Sequence, residues 1–191
     1  MLKCIARFLF ILHGWSFPEG PIPKETERCM FVFAPHTSNW DWYYGTLFIW
    51  ANGLKMKVAI KKFWMRFPLN LVIRPLGGVA VDRKRSDGRA KQIEAMADIF
   101  KRYEKACFVI TPEGTRGPQK RWKTGFYYIA QQAEVPIVTL SADFPNRTVK
   151  FGPIYNPNEQ TLEEVMRSMM QFYKDCVPVV PENFMLDEKY I

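Results

Sequence analysis

The pattern of apolar and polar positions along the 191-residue chain predicts alternating strands and helices. Short, mainly apolar runs of strand length are typical of buried strands, and they occupy 29–34, 57–60, 77–83, 107–110, 135–140 and 148–151. Helical spacing is clearest after Ser86 and Asp87, where Ile93, Met96, Ala97, Phe100 and Tyr103 share one face. Further helices are predicted at 42–50, at 122–134 and after the capping box that Thr161 opens. This alternation predicts one α/β domain with a mixed, largely parallel sheet flanked by helices.

The N-terminal segment 2–17 is mostly apolar and predicts a short amphipathic helix. It is interrupted by Arg7 and is shorter than the about 20 apolar residues that a membrane span needs. A signal peptide fits poorly, because the uninterrupted apolar part covers only 8–12 and no small-residue cleavage site follows. The helix either packs on its own domain or lies in a membrane interface, with Lys3 and Arg7 at the headgroups. Trp15 and Phe17 favour the interface, so we expect an interfacial helix at 1–17 and the main domain at 24–191.

The first candidate site follows the strand at 29–34. His36 lies in the turn after that strand and Asp41 in the first turn of the next helix, which Ser38 or Asn39 can cap. In an open α/β sheet, ligands bind at the carboxyl ends of the strands. An imidazole can take a proton from a hydroxyl, and a nearby carboxylate can set its tautomer and stabilise the imidazolium. The chain has two histidines, and His13 lies in the apolar N-terminal segment, so histidine chemistry would be centred on His36.

Two further strand ends carry charged residues. The strand at 77–83 ends at Arg83, and the strand at 107–110 leads into Thr111-Pro112-Glu113-Gly114-Thr115-Arg116. Backbone amides in a glycine-bearing loop before a helix suit an anion. The nucleotide-binding pattern Gly-x-x-x-x-Gly-Lys-Ser/Thr is not present in the sequence.

Net charge and cysteine content limit the possible binding partners and metal sites only in part. The formal net charge of +8 suits nucleic acid, an anionic membrane surface or phosphorylated substrates. Four scattered cysteines, without a Cys-x-x-Cys pair, argue against a zinc site and a disulfide framework.

These junctions stand in an order that resembles the glycerolipid acyltransferase family, whose best-known members make phosphatidic acid from 1-acylglycerol 3-phosphate. The four family motifs are matched in turn by the His-x-x-x-x-Asp of His36 and Asp41, by 78–83, by Glu113-Gly114-Thr115-Arg116 and by 135–138. Lys61 falls where the family carries a lysine, and Trp122-Lys123-Thr124-Gly125 is similar to a later family motif. Pro35 and Thr111 depart from the usual residues, but neither is a reacting group.

The resemblance implies a mechanism and a set of roles. His36 takes the proton from an acceptor hydroxyl, which attacks the thioester of acyl-CoA or acyl carrier protein, while Asp41 supports the imidazole. Arg83 and Arg116 would hold the acceptor phosphate, and Lys61, Gly114 and Thr115 complete the substrate-binding set. Glu113 would anchor its loop or bind acceptor hydroxyls. No cofactor and no metal are expected, and the partners would be a membrane lipid acceptor, the acyl thioester donor and an anionic membrane surface, without nucleic acid.

The expected function is therefore acyl transfer to a lysophospholipid, most simply 1-acyl-glycerol 3-phosphate, in phospholipid biosynthesis at the cytoplasmic face of the cell membrane, where the protein would bind peripherally. One alternative keeps the chemistry but uses an amino-acid-containing or other non-phosphorylated lipid acceptor. A binding module without chemistry would leave the ordered motifs unexplained. A hydrolase would use the same His36–Asp41 pair on water and release free fatty acid.

Overall fold

The computed structural model describes residues 1–81 and 88–191, and its architecture is the predicted α/β domain. The strands are β1 (Arg28–Phe33), β2 (Met56–Lys61), β3 (Gly78–Val81), β4 (Ala106–Ile110), β5 (Ile137–Asp143) and β6 (Thr148–Tyr155). The α-helices are α1 (Leu2–Leu12), α2 (Asn39–Ala51), α3 (Asn70–Ile73), α4 (Arg89–Lys101), α5 (Gly125–Gln132) and α6 (Leu162–Tyr173). Short 3₁₀ helices occupy Lys24–Glu27, Lys62–Met65 and Pro181–Asn183.

The described strands form one mixed sheet in the order β3-β2-β4-β1-β5-β6. Neighbours are parallel except β5 and β6, which form an antiparallel pair. The carboxyl ends of β1 to β5 therefore lie along one edge, as predicted for the candidate site. β2 pairs with β4 only at Met56 and Lys57 and then pairs with β3, so the sheet opens between β2 and β4 toward this edge.

Both faces of the sheet are covered, which explains why β1 is apolar from Cys29 to Phe33. Met30 and Val32 belong to the core cluster with α4, α5 and α6, whereas Cys29, Phe31 and Phe33 belong to the cluster with α1 and α2. Successive side chains of a strand point to opposite faces, so one strand supplies both cores. The predicted inward face of α4 is confirmed. The capping box of Thr161 and Glu164 is also present.

The N-terminal helix α1 packs on α2 while exposing apolar side chains on its other side. Ala6 and Phe10 are buried, and the Phe10 ring lies 6.1 Å from that of Phe48 in α2. Phe8 and Leu12 are 64% and 63% exposed. The helix thus belongs to the core of the domain, and contact of its outer face with a membrane stays a prediction.

Several predicted boundaries are wrong in detail. α5 begins at Gly125 rather than at Trp122, because the Trp122 backbone N–H donates to Asp187 at 2.8 Å and its indole N–H donates to the Met185 carbonyl at 3.0 Å. β6 is longer than expected. The 3₁₀ turn after β2 and helix α3 were not predicted, since 62–75 lacks a clear period. Arg83 and the expected cap at Ser86 and Asp87 lie outside the described residues.

Candidate active site

His36 lies in the turn between β1 and α2, at the carboxyl edge of the sheet. β1 ends at Phe33, and Ser38 caps α2 by accepting a hydrogen bond from the Trp40 N–H at 3.0 Å. Asp41 completes the cap, since its Oδ2 accepts from the backbone N–H groups of Thr37 and Ser38, the latter at 2.6 Å. The cap that begins the helix therefore also fixes the carboxylate beside the imidazole.

His36 and Asp41 are brought together as the sequence predicts, but they are not hydrogen-bonded. His36 Nδ1 lies 3.8 Å from Asp41 Oδ2, beyond hydrogen-bonding distance. Nδ1 is buried and has no hydrogen-bond partner among the described residues. Catalytic hydrogen bonds are often long in the absence of substrate. Asp41 therefore acts on His36 through its charge in this state, while its oxygens hold the turn.

The surroundings of His36 favour the neutral form of its imidazole. Burial is the largest influence and lowers the pKa of His36 below its ordinary value of 6.5; the Asp41 carboxylate raises this pKa and the Arg116 guanidinium lowers it. Burial raises the pKa of Asp41, while its hydrogen bonds from the Ser38 and Thr37 amides and the charge of His36 oppose that rise. A neutral imidazole is the form that can accept a proton.

Glu113 connects the third predicted motif to the turn that carries His36. Its two carboxylate oxygens accept from the His36 backbone N–H at 3.1 and 2.9 Å, and the side chain is buried. Burial raises the pKa of Glu113 to about 8, the His36 N–H opposes this rise, and Asp41 adds to it. In this geometry Glu113 anchors its loop to the His36 turn.

The loop after Glu113 is exposed and requires a glycine. Gly114 has a φ of +72°, and a Cβ at this position would collide with the side chain of Lys123. The backbone N–H of Lys123 donates to the Pro112 carbonyl at 2.8 Å, which joins the two ends of this loop. Thr115 and Arg116 are exposed. The influence of Arg116 on the His36 pKa shows that its charge acts on the site.

The remaining predicted site residues are less well connected. Lys61 ends β2 at the same edge and is exposed, but β4 lies between β2 and β1. Within 1–81 and 88–191, no hydrogen bond or ion pair joins Lys61 to His36, Asp41 or Glu113. Arg83 lies outside the described residues.

Comparison of the sequence with protein families identifies the family of this chain. The family model described as Acyltransferase matches residues 18–143, more than half of the chain, and this range contains His36, Asp41 and Glu113 to Arg116. The chain belongs to the acyltransferase family. It is therefore an enzyme that transfers acyl groups. A search of curated proteins gives no match.

The acyltransferase has an apolar cavity that the sequence did not reveal. It has a volume of about 430 Å³ and lies under α4 and α5, with Val58, Val81, Met96 and Ile129 among its walls. Trp42, Thr111 and Gly114 also line it, and these residues directly adjoin Asp41 and the loop of Glu113. Its lining comes from seven separate strands and helices and the loop after β4, so no local motif could have indicated it.

The C-terminal tail is a second feature that sequence reasoning missed. The Val180 N–H donates to Thr37 Oγ1 at 3.3 Å, so the tail of the acyltransferase reaches the turn beside His36. Asp187 fastens the same tail to Trp122. Val180 and Thr37, like Asp187 and Trp122, are distant in sequence and meet only in the tertiary structure.

None of the described helices has the length and apolar character to cross a membrane. No group of three or more His, Cys, Asp or Glu side chains in the described part of the acyltransferase is arranged to hold a metal ion.

Proposed function

We propose that this acyltransferase moves a fatty acyl group from acyl-CoA or acyl carrier protein to the free hydroxyl of a lysophospholipid, 1-acyl-glycerol 3-phosphate being the acceptor that fits best. The observation that carries the proposal is the partly buried His36 imidazole, 3.8 Å from Asp41 and in a turn whose neighbours Trp42, Thr111 and Gly114 line an apolar cavity. The pathway would be phospholipid biosynthesis.

His36 serves as the general base in this proposal. Nδ1 faces Asp41, which leaves Nε2 for the acceptor hydroxyl. As Nε2 takes the proton, the acceptor oxygen attacks the thioester carbonyl carbon and forms the new C–O ester bond. The C–S bond then breaks, and the imidazolium returns its proton to the leaving thiolate. Asp41 stabilises the imidazolium through its charge, which is strong at a buried position.

The cavity supports an acyl donor with a long aliphatic chain. Its walls are mainly aliphatic and aromatic side chains from β2, β4, α4 and α5. Thr111 and Gly114, which line it, flank the Glu113 side chain that bonds to the His36 turn. An acyl chain inside the cavity would therefore present its carbonyl carbon close to the imidazole.

Arg116 supports an anionic acceptor. It is exposed in the loop beside His36, and no described residue forms an ion pair with it. A guanidinium suits bidentate contact with a phosphate. We propose that Arg116, together with Arg83, holds the phosphate of the acceptor. Lys61, at the same edge, adds positive charge.

The proposed substrates reside in a bilayer, so the enzyme is expected to bind peripherally at the cytoplasmic face of the cell membrane. The exposed apolar side chains of α1, with Lys3 and Arg7, suit the headgroup layer of an anionic membrane.

The test is an assay of purified protein with labelled acyl-CoA and labelled acyl carrier protein against a panel of acceptors, with products identified by mass spectrometry. We expect transfer to 1-acyl-glycerol 3-phosphate, and a loss of roughly 10²–10⁴-fold in kcat for His36→Ala. His13→Gln, at the other histidine of the chain, is the matched control and should retain activity.

The panel also separates the alternatives. Transfer only to acceptors without phosphate would replace the lysophospholipid by a non-phosphorylated lipid. Release of free fatty acid without an acceptor would indicate a hydrolase. Full activity in His36→Ala would contradict the proposed mechanism.

A further inference from the structure

The segment that joins β2 to β3, residues 62–76, exposes far more apolar surface than a solvated connection needs. Phe63, Trp64, Phe67, Leu71 and Val72 are between 52% and 79% exposed. Contiguous exposed apolar surface on a soluble domain marks an interaction site.

The segment is nevertheless firmly seated on the domain. Met65 is buried, and Ile73 packs against Gly78 at the start of β3. Gly77 has a φ of +98° and lies so close to the Met56 carbonyl that a Cβ there would collide with it. The contacts of Met65, Ile73 and Gly77 fix the backbone of the segment on the domain, while the apolar side chains between them are exposed.

The charges of this segment have one sign. Lys62, Arg66 and Arg74 are basic, and there is no Asp or Glu from 61 to 81. The Arg66 guanidinium lies 5.6 Å from the centre of the Phe63 ring, so cation and aromatic side chains are interleaved. Basic residues beside exposed aromatic and aliphatic residues are the composition of segments that lie in the headgroup layer of an anionic bilayer.

The segment also adjoins α1. Leu2 and Lys3 of α1 line the same depression as Pro75 and Leu76. At its other end the segment begins directly after Lys61, at the carboxyl edge of the sheet that carries His36. It therefore connects the exposed apolar face of α1 with the edge at which the candidate active site lies.

We propose that residues 62–76 form a second membrane-contacting surface, which binds an anionic lipid bilayer and, together with α1, turns the His36 edge toward the lipid. The proposal rests on the proposed function in that the acceptor is taken to be a membrane lipid. Attachment through two segments fixes the orientation of the domain, whereas attachment through one short helix would leave the domain free to rotate about that helix.

The test is co-sedimentation of the full chain with vesicles of phosphatidylcholine and phosphatidylglycerol. The variant Trp64→Ser/Leu71→Ser removes two exposed apolar side chains without changing the charge. The matched control is Val177→Ser/Ile191→Ser, since these side chains are 49% and 70% exposed and lie outside the segment. We expect roughly tenfold weaker binding for the first variant and unchanged binding for the control. Brominated lipid should quench less fluorescence in Trp64→Phe than in the wild type.

The proposal would be overturned if Trp64→Ser/Leu71→Ser bound the vesicles as tightly as the wild type does. The proposal would also be overturned if the wild type were a dimer and this variant were a monomer with unchanged vesicle binding. The apolar surface of residues 62–76 would then be covered by a second copy of the chain. Vesicle binding requires no turnover, so failure of the wild type to transfer acyl groups would contradict the proposed function alone. If the variant still turned over substrates that are dispersed as monomers, its active site would be intact. Its weaker binding to vesicles could then not be attributed to a damaged active site.

Discussion

Glu113 bonds to the backbone of His36 rather than to its ring. Both carboxylate oxygens lie within 3.1 Å of the His36 N–H, across 77 positions of the chain. A displacement of the loop that carries Arg116 would thus displace the turn that carries the imidazole.

Replacement of Glu113 separates this anchoring from chemistry. Gln retains an oxygen that can accept from the His36 N–H, so Glu113→Gln should keep the fold and most of the activity. Ala leaves a buried donor unpaired, which should cost about 1–3 kcal/mol in the free energy of unfolding. Urea unfolding and kcat measure the two effects. Equal loss of activity in both variants, with Gln fully stable, would indicate that the carboxyl group takes part in the reaction.

The raised pKa of Glu113 predicts a stability that depends on pH. The folded state holds this proton up to about pH 8, whereas the unfolded chain releases it near the ordinary value of 4.5. Between these values the folded state binds more protons, so the contribution is complete below 4.5 and is lost as the pH rises through about 8. One proton changes the free energy of unfolding by at most about 1.4 kcal/mol per pH unit. Unfolding curves at pH 5 to 8 should show this decline, and Glu113→Gln should flatten it. If the free energy of unfolding declined equally with pH in that variant, another titratable side chain would be responsible.

The charges around His36 predict where activity falls at low pH. Since burial lowers the His36 pKa, kcat/KM should rise with pH and reach half its plateau below pH 6.5. Arg116→Gln removes a charge that lowers this pKa, so the midpoint should move to higher pH. Asp41→Asn removes a charge that raises it, so the midpoint should move to lower pH while activity also declines. Lys120→Gln is the control for loss of another exposed positive charge after β4, and a shift of the midpoint of equal size in that variant would contradict a specific effect of Arg116.

Arg116 should distinguish phosphorylated acceptors from others. Loss of charge-assisted hydrogen bonds predicts a fall of roughly 10- to 100-fold in kcat/KM for 1-acyl-glycerol 3-phosphate with Arg116→Ala. Arg116→Lys should lose nearly as much, because a point charge does not replace a bidentate fork. Both variants should unfold like the wild type, since the residue is exposed. Restoration of activity by Lys would mean that only diffuse positive charge is needed.

The two sides of α1 should respond differently to substitution. Phe10 is fully buried, so Phe10→Ala should lower the free energy of unfolding by about 3–5 kcal/mol. Phe8 is 64% exposed, so Phe8→Ser should change stability by no more than about 0.5 kcal/mol but weaken binding to anionic vesicles. Removal of residues 1–17 would remove the core residues Phe10 and Trp15 as well as the exposed face of α1. The loss of stability and the loss of vesicle binding could then not be separated. Undiminished vesicle binding by Phe8→Ser would exclude this face as an anchor.

The fold was largely predictable because apolar period and length determine most of its elements. The run at 29–34 serves two cores and therefore reads as a buried strand, and α4 and α6 each show a clear apolar stripe. α5 was predicted too long because only the distant Asp187 and Met185 hold Trp122 out of the helix. Helix α3 was missed because its exposed apolar residues conceal any amphipathic period.

The site was predictable where its chemistry is local. His36 and Asp41 are five positions apart, and the helix cap brings them together. The contact of Glu113 with the His36 amide depends on the register of β1 with β4, which no local pattern contains. The cavity and the bond from Val180 to Thr37 likewise depend on how distant elements pack.

The opening of the sheet between β2 and β4 separates part of the cavity wall from the reacting groups. His36, Asp41 and Glu113 lie on or beside β1, α2 and β4, whereas much of the cavity wall belongs to β2, β3 and α4. Substitutions at Val58, Val81 or Met96 can therefore reshape the cavity without moving the reacting groups. Descendants of this chain could acquire a preference for shorter or longer aliphatic chains in a few steps, each of which leaves a working catalyst.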